Sequence, residues 1–211
     1  MSVPMIGPEA EAHLDWLALT RAIEAGHTLP RAEVADTFLY RGKDTVLNRA
    51  AWIDGLGMAV KTATIFPGNM DRNLPTVGGA VSLFNDHDGT LAAYLDFRLV
   101  TKWKTAGDSL LSALMLAPPK VETILIVGAG TVARSLIEAY SAGFPSANFE
   151  IWNRTPDRAK ALASGFVTPV TNLPKAVAKA DIILTCTMAT SPVIKGEWIT
   201  PGTHLDLIGA Y

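Results

Sequence analysis

The segment TILIVGAGTVARSLIEAYSAG, residues 123–143, restricts this chain more than any other. An apolar run ends at Gly128, Gly130 follows, and apolar residues at helical spacing (Val132, Ala133, Leu136, Ile137) begin at once. A strand with both faces buried reads as such a run, and a helix starting so soon after it must fold back over the sheet. The same rhythm continues in NFEIW, PDRAKALA, FVTPV, NLPKAVAKA, DIILTCT and THLDLIG. Strand and helix alternating at this spacing predict a parallel sheet with helices on both faces over residues 120–211.

Gly128, Gly130 and Ala133 form G-x-G-x-x-A between the first strand and its helix. The first glycine allows a tight turn, the second lets backbone approach a pyrophosphate, and the small third residue lets helix and strand pack closely, while the helix N-terminus offers N–H groups to the anion. A glycine turn of purely structural use is the alternative; the strand-to-helix context favours a dinucleotide site. In that fold an acid about 20 residues further on holds the ribose 2'-OH of NAD, whereas a 2'-phosphate needs that acid absent and a cation present. This chain has Asn153, Arg154 and Thr155 there, and Glu150 belongs inside the strand rather than at its tip. Arg154 can place its guanidinium on the phosphate, with Asn153 and Thr155 as further donors. NADP(H) is therefore expected over NAD(H). The competing assignment, compatible with the first, makes Arg154 a solvated turn residue and Thr155 the cap of the next helix.

The first half has another texture. Residues 9–25 carry helical spacing that stops at Gly26, and one surface helix is expected there. From 36 to 96, short runs such as DTFLY, MAVKTATIF, GGAVSLF and TLAAYLDF alternate with turn residues and predict an antiparallel sheet, with a turn at NDHDGT. Residues 98–117 are helical in composition and end at Pro118–Pro119, which sets the expected domain boundary: 1–119 an α+β domain, 120–211 the nucleotide domain. Isolated cations stand out in this half. Lys61 lies inside a strand pattern where a buried charge needs a partner, and Lys104 opens a run of small residues. Arg41 and Arg49 flank a short strand, and for all of them an exposed structural cation is the alternative. The four histidines show no metal-ligand spacing, and no metal is expected. A net charge of −2 without a run of Lys or Arg gives no footprint for nucleic acid or membrane, and a single cysteine, Cys186, suits a reducing, cytoplasmic setting.

The motifs VKTATIFPGN, LPTVGGAVSLFND, LVTKWKTAGDSLLSALMLA, ILIVGAGTVAR, IWNRT and PGTHLDLIGA come in an order that resembles the ornithine cyclodeaminase and mu-crystallin family over nearly the whole chain. The resemblance implies a homodimer in which an N-terminal substrate and dimerisation domain joins a Rossmann domain, and nicotinamide chemistry on cyclic imines or amino acids. It places Lys61 beside the substrate carboxylate and nitrogen, matches Arg41 to an arginine that clamps that carboxylate, and sets Thr76 near the nicotinamide. Lys104 stands where most members have arginine in an RTAA run; it keeps the charge and loses the bidentate fork. Thr131, Val132, Asn153, Arg154, Thr155 and Thr187 fall at cofactor positions, and WNRT is similar to the form in NADPH-using members.

One departure separates branches of that family. Where cyclodeaminases carry a proton-handling Asp after the last strand, this chain has Tyr211. A phenol with an ordinary pKa near 10 is a poor base at neutral pH but can donate a proton or hydrogen bond. With DLIGAY and KTAGDSLL, the chain is similar to the branch that reduces 1-pyrroline-2-carboxylate and its six-membered homologue, so an NADPH-dependent reductase of a small cyclic imino acid is expected, with Lys61 and Tyr211 catalytic. NAD-dependent ornithine cyclodeamination is the alternative, and a nucleotide-dependent binding protein with little catalysis is the other. Members continue beyond the last strand seen here, so a longer chain is expected.

Overall fold

The computed structural model describes residues 3–209. It forms two compact units, one from the residues up to Asp15 with Ala22–Lys102, the other from Trp16–Arg21 with the residues from Trp103 onward.

The first unit is built on a six-stranded sheet. After β1 (Met5–Ile6), a 3-10 turn at Pro8–His13 precedes helix α1 (Trp16–Gly26). The single helix expected over 9–25 is thus two pieces, because Leu14 is extended (φ −99°, ψ 144°) and interrupts the hydrogen-bond ladder. Strands β2 (Glu33–Arg41), β3 (Asp44–Ile53), β4 (Gly57–Ile65), β5 (Val77–Phe84) and β6 (Leu91–Asp96) follow. Their order is β1-β6-β5-β4-β3-β2, antiparallel throughout except that β1 runs parallel to β6. The short strand expected between Arg41 and Arg49 is the longer β3, and Arg49 lies within it rather than at its flank.

Side chains alternate across a sheet, so the register sorts this one into two faces. Asp36, Arg49, Lys61 and Val81 stand opposite one another in one row. On that face Ala63, Val81 and Ala93 are buried, as are Phe97 and Leu99 at the start of helix α2 (Phe97–Leu116). The other face carries Ala35, Ala50, Trp52, Met58, Val60 and Phe84 along an open groove of about 560 Å³.

The second unit holds the expected doubly covered parallel sheet. Strand β7 (Thr123–Val127) leads to α3 (Thr131–Gly143), β8 (Asn148–Trp152), α4 (Pro156–Lys160), β9 (Val167–Pro169), α5 (Leu173–Val177), β10 (Ile182–Thr185) and β11 (His204–Leu207). The order is β11-β10-β7-β8-β9, with every pair parallel. The chain therefore lays β8 and β9 on one side of β7, then crosses to place β10 and β11 on the other. Ile124 to Val127 and Ile182 to Leu184 are fully buried. Each such side chain stabilises the fold by about 1.5–3 kcal/mol. Trp16 stacks on Trp103 with ring centres 3.9 Å apart, which explains why residues 16–21 belong with this unit. The division falls inside α2, before the two prolines that follow it.

One buried polar cluster fixes the α2 and α3 helices to the sheet edge. Ser109 Oγ donates to Asp206 Oδ2 at 2.5 Å, and Tyr140 Oη donates to the Ser109 carbonyl at 3.0 Å. Burial pushes the Tyr140 phenol above its ordinary range, so it stays a donor. Among the described residues, no helix is long and apolar enough to cross a membrane.

Candidate nucleotide cleft

A sheet whose strand order reverses opens a crevice at the carboxyl ends of the strands on either side of the reversal. Here those strands are β7 and β10, and a cleft of about 740 Å³ lies there. It is lined by the loop Gly128–Val132, by Trp152 at the end of β8 with Asn153, Arg154 and Arg158 beyond it, and by the segment from Cys186 to Ser191 after β10.

The glycine loop is held from both sides. Gly128 N donates to the Trp152 carbonyl and Cys186 N to the Val127 carbonyl, each at 2.9 Å. Gly128 has φ +125°, and a Cβ there would stand 2.7 Å from the Cys186 carbonyl oxygen and 2.9 Å from its Sγ. Only glycine fits that backbone and that space. Gly130 differs: its φ of −97° suits any residue, and a Cβ on it would meet nothing within 4 Å. Its lack of a side chain keeps the cleft floor clear rather than relieving a clash. Gly130 is also the N-cap of α3 and supplies no side-chain cap, so the first-turn N–H groups and the helix dipole of this 13-residue helix remain for an anion. An uncapped helix mouth, a bare floor and nearby cations are what a pyrophosphate requires, and these residues fit a dinucleotide.

The end of β8 places the residues singled out in the sequence differently. Glu150 sits mid-strand, opposite Leu125 and Thr168, and cannot reach the tip. Asn153 Nδ2 donates to the Thr155 carbonyl at 2.9 Å and shapes the turn into α4. Thr155 takes the N-cap position without a side-chain bond and does not line the cleft. Among the described residues, no Asp or Glu lines the cleft, and its charged groups are Arg154 and Arg158. Cys186 lies at the base, its thiol directed at the Val127 carbonyl at 3.6 Å, and burial pushes its pKa up to about 12. It is a packing group, not a nucleophile.

Of the residues chosen from sequence, the cleft unites Gly128, Gly130, Thr131, Val132, Asn153, Arg154 and Thr187. It does not include Lys104, which lies exposed on α2 and pairs with Asp108 at 2.8 Å. Three others belong to the first unit. Lys61, half-buried on β4, donates to Thr101 Oγ1 at 3.3 Å with its ammonium 4.8 Å from the centre of the Phe97 ring. Arg41 closes β2, pairs with Asp44 at 3.1 Å, and by register stands on the opposite face of the sheet from Lys61. Thr76 precedes β5, and its carbonyl accepts from Phe66 N at 2.8 Å. Tyr211 lies outside the described residues. Sequence reasoning missed Arg158 and the segment after Thr187. The strand-order reversal beside β10 marks that segment, whereas Arg158, on a short polar helix, carries no local sequence signal.

Comparisons with known proteins agree with this architecture. The profile of the ornithine cyclodeaminase/mu-crystallin family matches residues 50–211. The chain is 47% identical over 210 residues to the Delta(1)-pyrroline-2-carboxylate reductase of Paracoccus denitrificans, covering 96% of this chain and 66% of that protein. It is 35% identical over 156 residues to the ketimine reductase mu-crystallin of Mus musculus, covering 72% of this chain and 50% of the relative. Against the solved structure of Thermococcus litoralis Delta(1)-pyrroline-2-carboxylate reductase in complex with NADH and L-proline, the TM-score is 0.85 at 23% identity, over 96% of this chain and 68% of that one. The chain thus spans between half and two thirds of the curated relatives' length. A Rossmann-type sheet with its glycine cleft, and a family match that takes in both that sheet and most of the antiparallel one, lead to one assignment: this chain belongs to the ornithine cyclodeaminase/mu-crystallin family.

Proposed function

We propose that the protein is an NADPH-dependent reductase of cyclic imine carboxylates, converting 1-pyrroline-2-carboxylate to L-proline and accepting the six-membered homologue to give L-pipecolate. The observation that carries this is the acid-free, arginine-bearing end of β8 above an open glycine loop, in a chain 47% identical to a reductase of that imine. A 2'-phosphate is held by cations where NAD would need a carboxylate, and NADPH is the cofactor of reductive steps. Gly128, Gly130, Thr131 and Val132 would hold the pyrophosphate, Asn153 and Arg154 the adenosine end, and Thr187 the nicotinamide end. Bound there, the cofactor supplies a hydride to C2 of the imine.

The chain's own residues must position that carbon and manage charge. Lys61 meets the first need in this scheme: its ammonium, fixed by Thr101 and the Phe97 ring, offers a preset cation for the substrate carboxylate. Anchoring a flat ring by its carboxylate removes rotational freedom before the reaction begins. The imine nitrogen needs a proton as C2 gains the hydride, and Tyr211 is the proposed donor or hydrogen-bonding group. Lys104, paired with Asp108, can exchange that partner for a substrate or phosphate anion. Arg41, turned to the other face and engaged by Asp44, is left out of this set. The exposed apolar residues of edge strand β2, among them Val34, Leu39 and Tyr40, together with the groove beside them, suit pairing with a second copy, so we propose a homodimer. The single cysteine suits the cytoplasm.

The test is the product. L-Proline formed with equimolar NADP⁺ from 1-pyrroline-2-carboxylate is expected, whereas ammonia released from ornithine in the presence of NAD⁺ would replace the proposal with cyclodeamination. Lys61→Ala should lower kcat/KM by about 10–100-fold, the loss of one charge-assisted contact. Full turnover in a folded Lys61→Ala protein removes Lys61 from the mechanism.

A further inference from the structure

Helix α4 begins one residue after Thr155 and carries Arg158 four positions beyond Arg154. Both arginines line the cleft, and both are exposed. The one acid in this turn is engaged elsewhere: Asp157 Oδ1 accepts from Lys160 Nζ at 2.9 Å. Among the described residues neither Arg154 nor Arg158 makes an ion pair, although the exposed Arg41, Lys104 and Lys195 each pair with an acidic residue two to four positions away. Two guanidiniums lining one acid-free cleft raise its positive potential, which an anion bound there would offset.

The charge of the proposed cofactor makes use of this. A phosphate monoester carries about −1.5 to −2 at neutral pH and has three acceptor oxygens, more than one guanidinium can satisfy. We infer that Arg158 is a specificity-determining residue, the second guanidinium on the ribose 2'-phosphate, acting with Arg154. This rests on the NADPH assignment and adds a residue to it: Arg154 alone would retain a 2'-phosphate, and Arg158 would set how strongly it is preferred over a 2'-hydroxyl. The competing placement for Arg158 is flat against the adenine ring, where a guanidinium also binds well. That position serves NADPH and NADH alike, so selectivity separates the two.

The experiment measures Kd for NADPH and NADH by fluorescence titration, and for adenosine 2',5'-bisphosphate and adenosine 5'-phosphate by calorimetry. The full chain is used as wild type, Arg154→Ala, Arg158→Ala and Arg158→Lys. Wild type should prefer the 2'-phosphorylated member of each pair. Arg158→Ala should weaken that member by ~10-fold or more while its partner changes by less than about twofold, and Arg158→Lys should recover part of the loss. Higher salt should shrink the difference. Equal weakening of both members, or no change in either, overturns the role of Arg158 while a selective loss in Arg154→Ala leaves the NADPH assignment standing. A wild type that favours the unphosphorylated members overturns both. An unchanged melting temperature in the variants excludes a folding cause.

Discussion

The two loop glycines should fail in opposite ways when each is given a methyl group. In Gly128→Ala the new Cβ sits on a backbone of φ +125°, 2.7 Å from the Cys186 carbonyl oxygen. A non-glycine residue in that region costs about 1–3 kcal/mol. Pushing aside packed neighbours costs about 1–3 kcal/mol more, and the stiffer unfolded chain returns about 0.4–1 kcal/mol. A middle value near 3 kcal/mol lowers Tm by roughly 6–12 °C in a chain of this size. In Gly130→Ala the backbone (φ −97°) accepts alanine and the Cβ meets nothing within 4 Å. The poorer N-cap and the stiffer unfolded chain nearly cancel, leaving stability within about 1 kcal/mol of wild type. The methyl stands instead where pyrophosphate must approach, so Kd for NADPH and NADH alike should rise ~10-fold or more. Calorimetric melting and nucleotide titration on both variants read the contrast. If Gly130→Ala melts as low as Gly128→Ala, or binds nucleotide as tightly as wild type, the loop is not the phosphate cradle described above.

Other perturbations separate structural from functional groups. Arg49 spends its guanidinium on Asp36 in two bonds of 2.7 and 2.6 Å, so Arg49→Gln should leave imine affinity unchanged where Lys61→Ala does not; a parallel loss in steady-state kinetics would place Arg49 in the site. Cys186, half-buried at the cleft base with its pKa pushed up to about 12, should react slowly with iodoacetamide at pH 8 and faster once denaturant opens the second unit; rapid labelling of the native protein, followed by mass, would contradict the raised pKa. His204 has a buried Nε2 without a hydrogen-bond partner among the described residues, and burial lowers its pKa against the opposing pull of Asp206. The unfolded chain then takes up the proton first, so this contribution to stability is present above about pH 6.5 and fades as pH falls through the lowered native value. His204→Gln should flatten the decline of Tm between pH 7 and pH 5, and an unchanged slope would refute that role.

The nucleotide half was legible because its signals are local. Each strand buried on both faces announces itself as an apolar run, and Gly128 and Gly130 lie between a strand and a helix that can be seen without knowing the rest of the chain. The antiparallel half was less so. Strand β3, DTVLNRAAWI, alternates weakly because its polar Asn48 and Arg49 find partners in Thr62 and Asp36, contacts that exist only after neighbouring strands pair. The break at Leu14 and the attachment of residues 16–21 to the second unit rest on the Trp16–Trp103 stack, a contact across 87 residues that no local pattern displays. In the cleft, Arg154 was legible from its distance to the glycine loop. Arg158 was not, because a cation on a short polar helix reads as solvated until the structure turns it to the cleft wall.

The central claim is tested most directly by kcat/KM for 1-pyrroline-2-carboxylate with NADPH and with NADH, measured side by side on wild-type protein. Imine-dependent oxidation of NADPH, with kcat/KM above that for NADH by ~10-fold or more and L-proline as the product, is the expected result. Tight nucleotide binding without imine-dependent oxidation of either cofactor, or a wide preference for NADH, would contradict it.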